Sequence, residues 1–256
     1  MEPPQRSPFL LALAVALAVA GVAPALAAAG EAAADGDAAP ATAAASFLDL
    51  RREPVVAGDA KAGQALSEVC SACHGPAGMG IAPNFPNLAG QSAAYLYVQL
   101  RAFKGGQRND PVMAPMVAAL DDAAMRDLAA YYASLSPSDA RGDPHSPGGR
   151  VFGDGDPARG IPPCEGCHGR DGHGPRADPA SGGNAPRPPW ATIPRLQGQS
   201  ATYVAKALQD FRSGARAGTS NAAIMRGVAS ALEDEDIRAV ADFIEAKQPA
   251  SANAGR

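Results

Sequence analysis

Two copies of one short motif constrain this chain more than any other feature. Cys70-Ser-Ala-Cys73-His74 and Cys164-Glu-Gly-Cys167-His168 both follow the pattern C-x-x-C-H. This pattern is the attachment signature of c-type haem, because two thiols on one helical turn can add to the two vinyl groups of one haem. The histidine that follows supplies the proximal ligand of the iron. The motifs therefore predict two covalently bound c-type haems, and they use all four cysteines.

Other uses of paired cysteines fit the sequence less well. Two disulfides would not require a histidine directly after each second cysteine. A zinc site would need the two pairs to converge, but Cys70 and Cys164 are 94 positions apart, in separate repeats. A thioredoxin-like pair follows a strand, and neither motif is preceded by an apolar β pattern. Haem attachment is the interpretation that the motifs favour.

The motifs belong to an internal repeat that covers most of the chain. Ahead of them, a Gly-Asp-x-x-x-Gly segment at 58–63 aligns with 155–160, and Gly-Gln-Ser follows them at 90–92 and 198–200. The repeat predicts two tandem domains. The predicted divisions are a signal peptide at 1–27, a disordered Ala-rich acidic tether at 28–57, a first cytochrome c domain at 58–137, a linker at 138–149, a second cytochrome c domain at 150–248 and a tail at 249–256.

Each repeat predicts three main helices around its haem, and no strand pattern appears. One helix leads into the haem motif. The second begins after the N-cap serine, Ser92 or Ser200, and ends near Gly106 or Gly214. The third begins in an acidic cluster and carries an apolar stripe with helical spacing. Aromatic residues make up only 5% of the chain, so a covalently held haem would supply much of each core in this all-α fold.

A distal ligand decides whether each iron is open to small molecules or closed for electron transfer. A methionine closes the iron and raises its potential. Met225 is the only methionine of the second half, and its repeat equivalent is Met113, because each lies seven residues before the leucine that opens the last helix. Met116 aligns with Val228 and is interpreted as packing. The predicted axial pairs are His74 with Met113 and His168 with Met225.

Four other ligand-type side chains have different interpretations. Met79 and His173 follow the haem histidines by five residues, which is a short run for a chain that must round the haem edge, so both are interpreted as loop residues. Met125 lies on an apolar helical stripe and His145 in the linker. An insertion in the second half, which contains Trp190, is either a surface for docking a partner or a lid over the haem edge.

The N-terminus has the pattern of an export signal. A run at 9–29 is apolar, and Ala25-Leu26-Ala27 offers a cleavage site. The sequence therefore predicts a periplasmic protein, with membrane contact only through a partner or through an uncleaved anchor. Its 22 Lys and Arg residues against 26 Asp and Glu give a net charge of −4. That balance argues against nucleic-acid binding, which requires a basic surface.

The glycine after each motif, the P-x-L-x-G-Q segments, the distal methionines and the closing acidic helices resemble the dihaem class I cytochromes c of the cytochrome c4 type. The resemblance covers about residues 58–248. It implies two all-α cytochrome c domains whose haems are close enough to exchange electrons. The implied site residues are Cys70, Cys73, Cys164 and Cys167 for covalent attachment, and His74, Met113, His168 and Met225 as iron ligands.

The resemblance also implies a function. The expected protein is a carrier of single electrons from a quinol–cytochrome c reductase or a dehydrogenase to a terminal oxidase or reductase. One alternative is the electron-entry subunit of a membrane-bound dehydrogenase complex. Another is a haem enzyme, such as a peroxidase or a sulfur-compound oxidase, with one open iron. A placed methionine in both halves favours the carrier over the enzyme.

Overall fold

The computed structural model describes residues 46–51, 56–138, 140–175 and 190–246. The predicted signal peptide, most of the predicted tether, the predicted tail and most of the insertion before Trp190 lie outside the described residues. The helices are α1 Ala60–Leu66, α2 Glu68–His74, α3 Ala93–Lys104, α4 Met113–Val117, α5 Asp122–Ser134, α6 Pro147–Asp154, α7 Glu165–His168, α8 Ala201–Ser213, α9 Ser220–Ala229 and α10 Asp234–Glu245. Within the described ranges the only β pairing is two isolated bridges.

In the first half, α1 crosses α5 so closely that their backbones touch. A Cβ on Gly63 would lie 2.0 Å from the carbonyl oxygen of Asp127, so only glycine permits this crossing. Helix α3 also packs against α5, and its apolar side chains join those of α5 in the core. Helix α2, which carries the first haem motif, follows α1 directly.

The second half repeats this arrangement. Helix α6 crosses α10 at Gly148, where a Cβ would lie 1.9 Å from the carbonyl oxygen of Ala239. Helix α8 packs against both α10 and α9. The all-α prediction is confirmed, with the helix pairs of one half matched by those of the other.

The predicted helix boundaries follow from local capping chemistry. The Ser92 hydroxyl accepts a hydrogen bond from the Tyr95 amide, and the Ser200 hydroxyl accepts one from the Tyr203 amide. Each caps the orphan amides of a helix start. Gly214 ends α8 in the left-handed conformation, with φ = 83°, which glycine adopts without steric cost. The predicted middle helices therefore begin and end where expected.

The structure corrects the repeat alignment ahead of the haem motifs. Gly63 lies inside α1, whereas Gly160 lies in an open turn with nothing near its missing Cβ. The true equivalent of Gly63 is Gly148, because each touches the same turn of the closing helix. The aspartate of each segment caps the turn that follows it. The two segments therefore share a capping signal but different places in the fold.

Three further features differ from the sequence prediction. The methionines predicted as distal ligands lie on short helices, α4 and α9, where the sequence analysis placed none. Residues 46–51, which fall within the predicted tether, are packed: Leu48 forms a parallel bridge with Thr219, and Leu50 is 1% exposed. Helix α6 also begins at Pro147, inside the predicted linker.

Candidate functional site

The two motif histidines are held in the same way. His74 ends α2, and its Nδ1 lies 2.9 Å from the carbonyl oxygen of Pro86. His168 ends α7, and its Nδ1 lies 3.0 Å from the carbonyl oxygen of Pro194. Both rings are buried. A carbonyl accepts only from a protonated Nδ1, so each ring presents an unprotonated Nε2 to a metal.

Electrostatics keeps both rings in the ligand form. Burial lowers the pKa of His74 and of His168, and the hydrogen bond to the proline carbonyl opposes that shift only in part. A neutral imidazole is the form that binds iron. The prolines that fix the rings begin the two P-x-L-x-G-Q segments, so the repeated segment was the sequence signal for a role that the sequence analysis did not assign.

The motif cysteines suit thioether formation better than zinc binding. All four are described, and none is joined in a disulfide. Cys70 packs against the core of the first half and Cys164 against that of the second. Burial raises the pKa of the Cys70 thiol and raises that of Cys164 to about 11. A neutral sulfur in apolar surroundings is a poor zinc ligand, because zinc binds the thiolate, but it is well placed as a thioether.

One continuous cavity of about 420 Å³ connects these residues across both halves. His74 and His168 line it, together with Cys70, Cys73 and Cys164. Most of the remaining lining is apolar. A cavity that is apolar and bordered by a C-x-x-C-H motif in each half fits a haem in each half.

The methionines divide between this cavity and other places. Met113, Met116 and Met225 line the cavity, so the structure brings both candidate methionines of the first half to the site. Met125 is buried in the core of the first half, as its helical stripe indicates. Met79 is 37% exposed, and it does not line the cavity; nor does His173.

Two arginines, Arg216 buried and Arg108 half-buried, lie on the cavity wall where the two halves meet. Arg108 donates to the Tyr203 hydroxyl at 3.1 Å, and Arg216 donates to the Tyr95 hydroxyl at the same distance. Both arginines also donate to the side-chain oxygen of Gln99, at 2.8 and 2.7 Å. Burial alone would raise the pKa of Tyr203, but the two arginines lower it to about 8. This positive field fits the carboxylates of a haem. In the sequence, these arginines follow Gly106 and Gly214 by two residues, and this repeated position is the signal from which they could have been predicted.

Two glutamines join the halves, because the side chain of each hydrogen bonds to the backbone of the opposite half. The Gln91 side chain accepts from the Arg195 amide and donates to the Arg195 carbonyl, each at 2.8 Å. The Gln199 side chain makes the matching pair with Asn87, at 2.8 and 2.9 Å. Both glutamines are buried. The repeated Gly-Gln-Ser is therefore a domain-joining motif, a role that the sequence analysis also missed.

Among the described residues, a few buried polar side-chain atoms have no hydrogen-bond partner in the protein, and the Tyr132 hydroxyl is one of them. The Tyr132 hydroxyl lines the cavity beside Cys70 and has no hydrogen-bond partner of acceptable geometry. Burial raises the pKa of Tyr132 well above its usual range. Buried hydroxyls almost always find a partner, and the Cys70 sulfur, where a haem would be attached, is the acceptor nearest in character to this one.

Each half has the features of a haem-binding cytochrome domain. Two helices cross at a glycine, a short helix carries the C-x-x-C-H motif, and a proline carbonyl holds the motif histidine. A family model for cytochrome c matches residues 60–136 and 154–247. The chain belongs to the cytochrome c family, and within it to the cytochrome c4 type. Residues 58–248, from which this membership was expected, agree closely with the matched ranges.

Relatives and solved structures support that membership. Cytochrome c4 of Pseudomonas aeruginosa is 41% identical over 191 residues, covering 74% of this chain and 89% of the relative. The structure of reduced recombinant cytochrome c4 from Pseudomonas stutzeri superposes with a TM-score of 0.63 at 39% identity, covering 75% of this chain and all of that one. A protein of Stutzerimonas stutzeri named thiosulfate dehydrogenase electron acceptor is 35% identical, over 68% of this chain and 76% of its own length.

These matches fix the class of chemistry. The chain is a dihaem electron-transfer cytochrome with two covalently bound c-type haems. Its partners are redox proteins. In the part of the chain that the structure describes, no helix has both the length and the apolar character required to cross a bilayer.

Proposed function

We propose that this chain is a periplasmic carrier that moves single electrons from a quinol–cytochrome c reductase or a dehydrogenase to a terminal oxidase or reductase. In this proposal one histidine and one methionine of each half would hold the iron of that half. The thioethers form at Cys70, Cys73, Cys164 and Cys167. The iron ligands are His74 with Met113 and His168 with Met225.

The observation that carries the proposal is the cavity that one histidine and at least one methionine of each half line together. A haem, when bound, supplies one-electron chemistry at its iron. The proline carbonyls hold the histidine rings in one orientation, so little reorganisation accompanies a change of charge at the iron. The methionine sulfurs would close the irons to small molecules, which favours a carrier over an enzyme.

Choice of Met113 over Met116 rests on two supports. Met113 is half-buried, whereas Met116 is 41% exposed, and a ligand sulfur must turn inward. Met113 is also the repeat equivalent of Met225, which packs against Phe211 and Ala229 in the second half. The export pattern at 1–27 supports the periplasmic location, and those residues lie outside the described part of the chain.

A second candidate function follows from the sulfur-linked relatives. Two relatives, at 35% and 37% identity, are named thiosulfate dehydrogenase electron acceptor. A fixed dehydrogenase partner would make this chain the dedicated electron acceptor of that enzyme, with the same haem chemistry. Reduction of the purified protein by a thiosulfate dehydrogenase at a rate that exceeds reduction by a quinol–cytochrome c reductase would favour this candidate.

The test of the main proposal is the optical spectrum of protein matured in a periplasm, oxidised and reduced, with haem counted per chain. We expect two low-spin haems, each showing the Fe(III)–methionine charge-transfer band. A high-spin haem, or one without that band, would contradict the ligand assignment and favour the haem-enzyme alternative. Recovery of the mature protein from the periplasmic fraction, with its N-terminus at residue 28, tests the location.

A further inference from the structure

Residues 46–51, hereafter the strap, contact both halves of the molecule. The strap precedes the first family-model match, which begins at residue 60. It therefore adds to the haem-binding core of this family and does not belong to it. Its two sides face different halves.

Toward the second half, the strap pairs through its backbone. The Leu48 amide donates to the Gly218 carbonyl at 2.9 Å, and the Leu48 carbonyl accepts from the Ser220 amide at 3.1 Å. The Leu50 amide donates to the Ser220 hydroxyl at 3.0 Å. These three bonds fix the residues that begin α9. Thr219 is the N-cap of that helix and accepts from the Ala222 amide.

Toward the first half, the strap packs through its side chains. Leu50 is fully buried in the same core as Leu96 and Leu128, and it also lines the haem cavity. Leu48 packs against that core from outside. At the start of the strap, the Gln107 side chain donates to the Ser46 carbonyl at 2.9 Å. Through Leu50, the strap is therefore in contact with the first haem site.

The loop before α9, to which the strap is hydrogen bonded, also contacts the first half directly. A Cβ on Gly218 would lie 2.3 Å from the Gln107 carbonyl oxygen, so the two backbones are in contact. Helix α9 begins two residues after Gly218 and carries Met225. Movement of the strap would thus release the start of the helix that holds the predicted distal ligand of the second haem.

We propose that the strap is a positioning element that couples the two haem sites: Leu50 closes the first haem cavity while the strap backbone holds the start of the Met225 helix against the first half. The inference rests on the proposed ligation by Met225. Its consequence is that a change in the strap alters the second haem, although no strap residue lies in the family-model ranges of the second half.

The test uses the haem-loaded protein with four single substitutions: two that disturb the strap, one matched control and one rescue variant. Leu50→Ala removes the buried side chain, and Ser220→Ala removes only the acceptor of the Leu50 amide while keeping a residue that favours helix. Phe47→Ala is the matched control, because Phe47 belongs to the strap but is 59% exposed. Leu50→Met, which conserves the apolar volume, is the rescue variant.

Two readouts report on the second haem: its midpoint potential and hydrogen exchange across Ser220–Ala229. For Leu50→Ala and Ser220→Ala we expect a lower potential of the second haem, since a loosened helix weakens the iron–sulfur bond, and exchange at least ~3-fold faster, since local opening becomes easier. Phe47→Ala and Leu50→Met should match the wild type.

Failure of this inference differs from failure of the proposed function. Wild-type protein that lacks the methionine band at the second haem contradicts the ligand assignment, whatever the variants do. Wild-type protein with the band, together with Leu50→Ala and Ser220→Ala variants whose second-haem potential and α9 exchange are unchanged, overturns the strap inference. A Leu50→Ala protein that is less stable but changes only at the first haem overturns it equally. Should Leu50→Ala fail to mature, Ser220→Ala decides the question alone.

Discussion

The two halves are nearly identical where they hold a histidine and where they meet, and they differ at a position of the cavity wall beside the first haem motif. His74 and His168 both bond to a proline carbonyl, and Gln91 and Gln199 make the same paired bonds to the opposite half. By contrast, the Tyr132 hydroxyl of the first cavity has only the alkyl group of Ile244 as its repeat equivalent. The histidine geometry and the contacts that pair the domains are thus common to both halves. A difference in the cavity wall can give the two haems different midpoint potentials.

The largest expected effect is the loss of a distal sulfur. Met225→Ala should lower the potential of the second haem by on the order of 100 mV or more, or make that iron high-spin, because axial ligands control most of the range of haem potentials. Met113→Ala should do the same to the first haem. A spectroelectrochemical titration that resolves both haems measures each change.

Met116→Ala is the control within the first cavity. Met116 lines the same cavity but lies 41% exposed, so its loss should leave the potential of the first haem close to the wild type. If Met116→Ala removes the methionine band and Met113→Ala keeps it, the ligand of the first half is Met116 and the repeat alignment misplaces it.

Removal of the domain-joining glutamines should affect the two halves equally. Gln91→Ala or Gln199→Ala leaves one backbone amide and one carbonyl in the interface without its partner, which costs about 1–3 kcal/mol per group. Denaturant unfolding should show the loss, and the double variant should unfold in two separate transitions. Gln64→Ala, at an exposed position in α1, is the control. Markedly unequal effects of the two substitutions would contradict the paired design.

Local signals in this sequence predicted more than long-range ones. Ser92 and Ser200 cap helices through bonds that span three residues, so a short motif suffices to place them. The carbonyls of Pro86 and Pro194, and the partners of Gln91 and Gln199, are reached only after the chain folds back, across 12 to 112 positions. The repeat marked these residues as special, but nothing in the order of residues specifies which atoms meet.

The misaligned segment ahead of the haem motifs shows the converse. Asp59 and Asp156 both cap a helical turn, and the resulting Gly-Asp signal is genuine in each half. Sequence matching aligned these signals, although the helix that crosses α10 begins earlier, at Pro147. Glycine is required at a helix crossing because two backbones come into contact there. The sequence shows the glycine, but it does not show which backbone the glycine contacts.

A pH effect should distinguish the halves. In the second half, Arg159 hydrogen bonds to both carboxylate oxygens of Asp236, at 2.8 and 2.9 Å, and holds the pKa of that buried carboxyl below its usual range. A lowered folded-state pKa contributes stability that is present above the unfolded pKa, near 4, and is lost as pH falls through the folded value.

Asp236→Asn should therefore reduce stability at pH 7 by about 1.5–3 kcal/mol, the worth of hydrogen bonds to a charged group, and should flatten the loss of stability below about pH 4. Unfolding free energies measured from pH 7 to pH 3 test this. Asp122→Asn is the comparison in the first half: Arg126 also lowers the pKa of Asp122, after the Tyr97 hydrogen bond, but that carboxylate is exposed. Solvent screens the interaction of Asp122 with Arg126, so the loss of stability below about pH 4 should change less for Asp122→Asn. Equal changes would show that burial does not distinguish the two sites.

The smallest effect should come from the difference between Tyr132 and its repeat equivalent Ile244. The Tyr132 hydroxyl makes no hydrogen bond of normal geometry, and a buried hydroxyl of this kind costs stability, so we expect it to donate to the Cys70 sulfur once the haem is attached. The hydroxyl lies beside Cys70 and lowers the pKa of that thiol, against the larger effect of burial. Donation toward the attached sulfur withdraws electron density from the haem and stabilises its reduced state.

Tyr132→Phe removes the donor and keeps the ring, so the potential of the first haem should fall by about 40 mV at most, the equivalent for a one-electron couple of one hydrogen bond of about 1 kcal/mol. The second haem should not change, because Ile244 provides no donor there. Tyr131→Phe, on the neighbouring and also buried ring, controls for loss of a hydroxyl as such. An unchanged first-haem potential, with stability raised, would mean that the Tyr132 hydroxyl has no partner even in the loaded protein, and the two cavities would then have to differ through their shapes and exposure alone.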